Sequence, residues 1–308
     1  MIAKPRSLIL AWFALLAVGC PRPDLLVTSQ GDHTVKRFNR TTGTFASTVA
    51  SGGALGDPLG VVIGLDGNLL VSDGQTNQVK RYDCATGDFL GVFASTNLAG
   101  PVGMTIDNNI LYVANSNPPQ GVQRFNGVTG ANTGSFTPSL PNPSPRDVKV
   151  NRANGRLYVL YYNAATVETF DLATMASKGV LMPVGSPTGS GGLYTPSSMA
   201  FGPDGNLYVS GGTFGGKLGV RRYNPTTGAF IDFFAKTGND LFVPIGIAFG
   251  PDSNLYVATQ NKSNVMRFKY PTGAFMNFFV PDGGGGLQSP FHMTWGRCRG
   301  KLPPVSTQ

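Results

Sequence analysis

Between Pro196 and Phe234 the chain reads PSSMAF (196–201), GPDGN (202–206), LYVS (207–210), VRRYN (220–224), PTTG (225–228) and AFIDFF (229–234). Short apolar or alternating runs separated by turn residues spell an antiparallel meander of four strands, A to D. Asp204-Gly205 predicts a type I′ hairpin turn between A and B. Thr227-Gly228 predicts a tight C to D turn in which Gly supplies the positive φ.

The unit repeats. Its strand B core is LLV, LLV, LYV, LYV, LYV and LYV, ending at Val27, Val71, Val113, Val159, Val209 and Val257, which lie 44, 42, 46, 50 and 48 residues apart. A period in the mid-forties suits one four-stranded propeller blade and is too long for one coil of a leucine-rich repeat. Asp66-Gly67 and Asn154-Gly155 repeat the A to B signal, with Asp252-Ser253 in the last copy. Thr42-Gly43, Thr86-Gly87, Thr129-Gly130 and Thr272-Gly273 repeat the C to D signal, which the fourth copy lacks. The first copy starts at Asp24 with strand B, while Ser289–Gly296 (SPFHMTWG) matches a strand A with no B after it. The sequence therefore predicts an all-β, six-bladed propeller over residues 24–296, closed by residues 289–296 completing the first blade and leaving no open sheet edge at the seam.

Composition agrees with a turn-rich β protein: 308 residues with 42 Gly, 23 Pro and 13% charged residues, against roughly 25% charged in typical domains. At the N-terminus, Lys4 and Arg6 precede an apolar run, Leu8–Val18, too short to span a bilayer but suited to a signal-peptide core. Residues 1–20 are read as that signal, and residues 297–308 as a tail. The segment LAVGC (16–20) resembles a bacterial lipobox, which makes Cys20 a lipidation candidate and the only expected membrane attachment. Loss of residues 1–19 leaves 22 basic against 16 acidic residues, a formal charge of +6. These charges are spread through the repeats of an exported chain, so a solvated basic surface, not nucleic-acid binding, is expected. Export places the protein in the periplasm, outside the cell or on a lipid anchor. Cys84 and Cys298 either pair or remain buried thiols.

The PxG(I/V/M) starts of strand A, the GPDGNLYV core (202–209) and the VxRF or VxRY strand resemble the NHL repeat and its relatives in the six-bladed superfamily of gluconolactonases, senescence marker protein and virginiamycin B lyase. The resemblance covers nearly all of residues 24–296. That superfamily holds lactonases, lyases and binding modules, so the resemblance implies architecture without choosing among them. A gluconolactonase-type reading implies a divalent cation, Ca²⁺ or Mg²⁺, held by several oxygens in the channel. A virginiamycin B lyase-type reading implies His and Glu at the channel mouth.

Residues present in nearly every blade receive structural readings. Arg37, Arg81, Arg124, Arg222 and Arg267 share one place in strand C, with Thr169 in the remaining blade, and are expected to satisfy carbonyls between blades. Leu and Val of strand B face one way and Tyr112, Tyr158, Tyr208 and Tyr256 the other, all as core. Phe45, Phe89, Phe230 and Phe275 are likewise read as core packing.

Function is sought where the copies differ. The B to C and D to A connections share one face and vary, with Ser177–Thr195 long, Gly211–Gly219 expanded and 281–288 Gly-rich, so this is the expected binding face. Phe214 and Tyr194 are candidate exposed aromatics there. Two residues after the loop Pro, the channel rim is expected to carry His292, Gly60, Gly103, Asp147, Ser198 and Gly246. Two further on stand Thr294, Val62, Thr105, Lys149, Ala200 and Ala248. His33, the second histidine, falls with Asp32 in the B to C turn of the same blade as His292. A His pair beside a carboxylate can hold a metal or move a proton. His292 and Asp147 are thus the catalytic candidates, and Arg146, Asp147, Lys149, Ser198, His292, Thr294, Thr105 and His33 the ligand-binding candidates. With one acid at the rim and no recognisable catalytic set, the favoured reading is a monomeric module binding a glycan, a peptide or an envelope protein. A metal-dependent lactonase or a lyase is the alternative.

Overall fold

Six four-stranded antiparallel sheets stand in a ring in the computed structural model, which describes residues 23–182, 191–213, 218–236 and 243–298. The signal and lipobox readings at residues 1–20, Phe214, and the tail from residue 299 lie outside the described residues. Each blade is the predicted meander. Blade one orders its strands as Pro290–Gly296, Asp24–Ser29, Thr34–Phe38 and Phe45–Ala50, so the C-terminal strand A closes the ring. Leu25 pairs with Trp295, Leu26 with Thr294 and Val27 with Met293. Cys298, two residues beyond this strand, is disulfide-bonded to Cys84 of blade two, which settles the open choice for those two residues.

Strand B explains the stacking. Its alternation sends Tyr to one flank and Leu and Val to the other, so four interfaces pack Tyr of one blade on Leu and Val of the next, with Leu26 and Leu70 in the place of Tyr at the other two. Tyr208 meets Leu255 and Val257, Tyr256 meets Leu25 and Val27, and Tyr158 meets Leu207 and Val209, all of them buried. Each such side chain contributes about 1.5–3 kcal/mol when fully buried. The Tyr hydroxyls end at the A to B turn, where Tyr208 and Tyr256 donate to Asp204 and Asp252 at 3.0 Å.

Four expectations are corrected. Gly67 and Gly205 have φ of 82° and 75°, but Asp66 and Asp204 are not in the positive-φ region, so these turns have a single left-handed Gly and are not type I′. Among the A to B turns, the one with two consecutive positive φ values is at Asn108-Asn109 of blade three. The repeated arginines do not cap carbonyls between blades. Arg81 pairs with Asp66, Arg222 with Asp204 and Asp232, and Arg267 with Asp252, each within its own blade. Strand C passes beside the A to B turn, so the turn carboxylate is the nearest strong acceptor. Phe45, Phe89 and Phe275 are about two-fifths exposed on the outermost strand instead of buried, each against a strand C ring, edge-on for Phe45 and Phe275 and tilted for Phe89. Finally, Ser177–Thr195 is not all loop: strand D of blade four is Ser177–Val180, and strand A of blade five starts at Leu193.

The C to D glycines do serve as predicted. Gly43, Gly130, Gly228 and Gly273 have φ near 70°, and a Cβ on any of them would lie 1.8 Å from a carbonyl oxygen in, or for Gly228 just after, strand D of the preceding blade. A side chain is excluded there by both conformation and space.

Candidate functional site

The site grows from an irregularity shared by all six blades. Pairing of strand A with strand B shifts register just after the loop proline: between Pro58 and Val61, Pro101 and Met104, Pro145 and Asp147, Tyr194 and Ser198, Pro244 and Ile247, and opposite Pro290 between Val27 and Ser29. A bulge breaks strict alternation and re-aims side chains. The residue directly after each proline therefore also turns to the axis. Leu59, Val102, Ile245 and Phe291, from four different blades, touch one another there and are buried. They form an apolar plug at the loop-bearing end. Arg146 of blade four lies on it, its guanidinium carbon 4.9 Å from the Phe291 ring centroid and 5.0 Å from that of Tyr162.

The six predicted rim residues sit below this plug, not at an open mouth on the loop face. His292, Asp147 and Ser198 are 5%, 0% and 1% exposed. Gly103 is glycine because a Cβ would meet Asp147 Oδ1 at 2.4 Å, and Gly246 because one would meet the Phe291 carbonyl at 2.5 Å. The ring is too tight at this level for six side chains.

Asp147 is fully committed. Oδ1 accepts from Lys149 Nζ at 2.7 Å and from the Val148 amide at 2.9 Å. Oδ2 accepts from the Met199 amide at 2.9 Å and Ser198 Oγ at 3.1 Å, joining blade four to blade five. Burial pushes the His292 imidazole down to about 4. Lys149 and Arg146 act in the same sense, whereas Asp147 and a hydrogen bond to the Ser197 backbone oppose it. The ring stacks on Phe291, with 5.6 Å between centroids, and Nε2 has no hydrogen-bond partner.

Below His292 lies an axial cavity of about 380 Å³ lined by Thr105, Lys149, Ser198, His292, Thr294 and, toward its wide end, Phe201, Phe249 and Trp295. None of the plug residues lines it; Phe201 and Phe249 immediately precede their A to B turns, and Trp295 holds the equivalent place in the closing strand. It therefore opens on the turn-bearing face, opposite the face expected from loop variation. Thr105 and Thr294 face it with no hydrogen bond among the described residues.

His33 does not join this set. It is exposed in its turn with φ 57°, and its neighbour Asp32 is taken by Lys36 at 2.6 Å and Thr34 at 2.9 Å. The charged groups acting on His292 are Asp147, Lys149 and Arg146. Tyr194 is 46% exposed, as expected. No group of three His, Cys, Asp or Glu side chains is placed to hold a metal ion among the described residues.

Sequence reasoning missed the plug and the aromatic collar. The plug had a legible signal, the residue following each strand A proline, but alternation from the proline counted it as facing away. It also missed three hydroxyl staples. Thr28, Ser72 and Ser210, each following the LLV or LYV core, donate to Leu59, Val102 and Ile245 carbonyls of the next blade at 3.1, 2.6 and 2.5 Å.

No family model matches the chain, and no curated protein matches its sequence. Solved structures do match. A chain of a nidogen/laminin complex aligns with a TM-score of 0.68 at 16% identity over 90% of this chain and 99% of that one. Virginiamycin B lyase from Staphylococcus aureus, as a catalytically inactive histidine-to-alanine variant with quinupristin, aligns at 0.60 and 14% over 85% of each chain. A candidate 6-phosphogluconolactonase from Bacteroides uniformis aligns at 0.57 and 14% over 89% and 99%. At these identities the likeness establishes the six-bladed fold, shared by binding proteins and enzymes alike.

Proposed function

We propose that the protein is an exported binding module whose loop-bearing face takes a protein or peptide partner. The observation that carries this reading is the Arg146 platform. A guanidinium lies over the Phe291 and Tyr162 rings above a closed apolar floor, with no carboxylate in ion-pair distance among the described residues. Arg and aromatic side chains at the centre of a desolvated patch are the usual anchors of protein interfaces. Beside it, Gln260 donates to Gln30 at 2.9 Å and Gln30 to Asp57 at 2.6 Å, a polar edge around the platform. The Cys84–Cys298 bond supports an oxidising compartment. The nidogen/laminin likeness offers a precedent for a propeller in a protein complex.

The lactonase or lyase reading finds less support. A general acid or base works best with a pKa near the working pH, and His292 is held at about 4 under the plug. Both Asp147 oxygens are already occupied by donors.

A photo-crosslinking residue placed at exposed Asn163, beside Tyr162 on the loop face, or at exposed Thr226 on the turn face, tests the proposal in extracts of the native envelope. One polypeptide should be captured from position 163 alone, and Arg146→Ala should abolish the capture. Equal labelling from both faces, or capture indifferent to Arg146, would sink the proposal.

A further inference from the structure

The axial cavity on the turn face is separate from the loop-face platform, because the plug lies between them. Its chemistry is one-sided. Blades one, three and four supply His292, Thr294, Thr105 and Lys149; blade five adds Ser198, whose hydroxyl already donates to Asp147, and blades two, five and six otherwise supply Val62, Ala200 and Ala248. Such a lining, apolar with a few convergent polar groups and about 380 Å³ in volume, is that of a small-molecule site.

The polar groups define the ligand. Lys149 is the one charged side chain lining the cavity among the described residues, and Asp147 behind it already offsets its charge at 2.7 Å. A net anion therefore gains little there, while the remaining ammonium hydrogens are available as donors. The Thr105 and Thr294 hydroxyls donate or accept. His292 Nε2 is a buried acceptor without a partner, a group whose isolation costs free energy until something donates to it. The ligand must thus offer several hydroxyl-type groups and no net charge. Trp295 and Phe249 add aromatic surface to the lining, of the kind that packs on the C–H face of a pyranose ring. Phe201 also borders a second groove of about 380 Å³ between blades four and five, lined by Arg152, Asn154 and Pro225, so the two cavities share a wall residue.

We propose that the axial cavity binds a neutral, hexose-sized sugar, entering from the turn face, with hydroxyls on Lys149, Thr105, Thr294 and His292 and its apolar face on the aromatic collar. Trp295 is one of only two tryptophans in the chain, so intrinsic fluorescence reports occupancy. The full chain is titrated with glucose, galactose, mannose, N-acetylglucosamine and their linear trisaccharides, with glucuronate as the charged control. At least one neutral sugar should give a saturable change with Kd on the order of 1 mM or tighter. That binding should weaken by about tenfold in Thr105→Val and Thr294→Val, whose melting should stay close to wild type. Arg146→Ala, on the other side of the plug, should leave it unchanged while still abolishing the loop-face capture. A trisaccharide binding more tightly than its monomer identifies a glycan end; equal affinities identify a free sugar. The proposal is overturned if no neutral sugar saturates up to about 100 mM, if glucuronate binds more tightly than every neutral sugar, or if both threonine variants bind as well as wild type.

Discussion

The Arg146 guanidinium lies 4.9 Å from the Phe291 ring centroid, bringing blade four onto the closing strand at the C-terminal end of the chain. Its Nε is buried without a partner, which offsets part of what the two ring contacts contribute. Arg146→Ala should therefore shift stability by no more than about 1 kcal/mol in urea unfolding. A loss several times larger would make this residue a structural pin instead of a recognition group.

Asp147 and Lys149 behave as a unit. Asp147→Ala strands an ammonium beside His292 and removes acceptors from Ser198 and Met199, and should cost about 3–5 kcal/mol. Adding Lys149→Met should restore part of that loss, because the uncompensated charge is gone. A double mutant no more stable than Asp147→Ala would contradict the coupling.

Acid should act through His292. Its imidazole titrates near 6.5 in the unfolded chain and at about 4 in the fold, so between those values the unfolded chain holds the extra proton. The stability this neutral histidine supplies is complete above about 6.5 and lost as pH falls toward about 4, in total about 3 kcal/mol. Comparison of wild type with His292→Phe across that window isolates the effect. Parallel stability curves for the two proteins would rule it out.

Reduction of Cys84–Cys298 releases a link across 214 residues that secures the closing strand. Cys84→Ser and Cys298→Ser should each lower unfolding stability by about 2–5 kcal/mol, equally, since either change breaks the same bond. Deletion of residues 289–308 should go further, exposing the edges of blade one and causing aggregation, measured by light scattering.

Much of this molecule was legible in the chain. Val27, Val71, Val113, Val159, Val209 and Val257 gave the blade count. The unmatched strand A at residues 289–296 gave the closure, because a ring of repeats leaves an orphan strand only when its ends interlock. Turn glycines such as Gly273 were readable because positive φ is a local demand. Asp147, Lys149, Ser198 and His292 also stood out, being the residues that break the repeat.

Their arrangement was decided elsewhere. The bulge after each proline turns Leu59, Val102, Ile245 and Phe291 to the axis, and whether those four meet depends on strands up to 232 residues apart in the chain. That meeting seals the loop end, buries His292 and leaves the cavity open on the side of the short turns. The repeat determined the ring because strand patterning and turn chemistry are local. Which end of the ring is open was decided only by side chains converging from four blades.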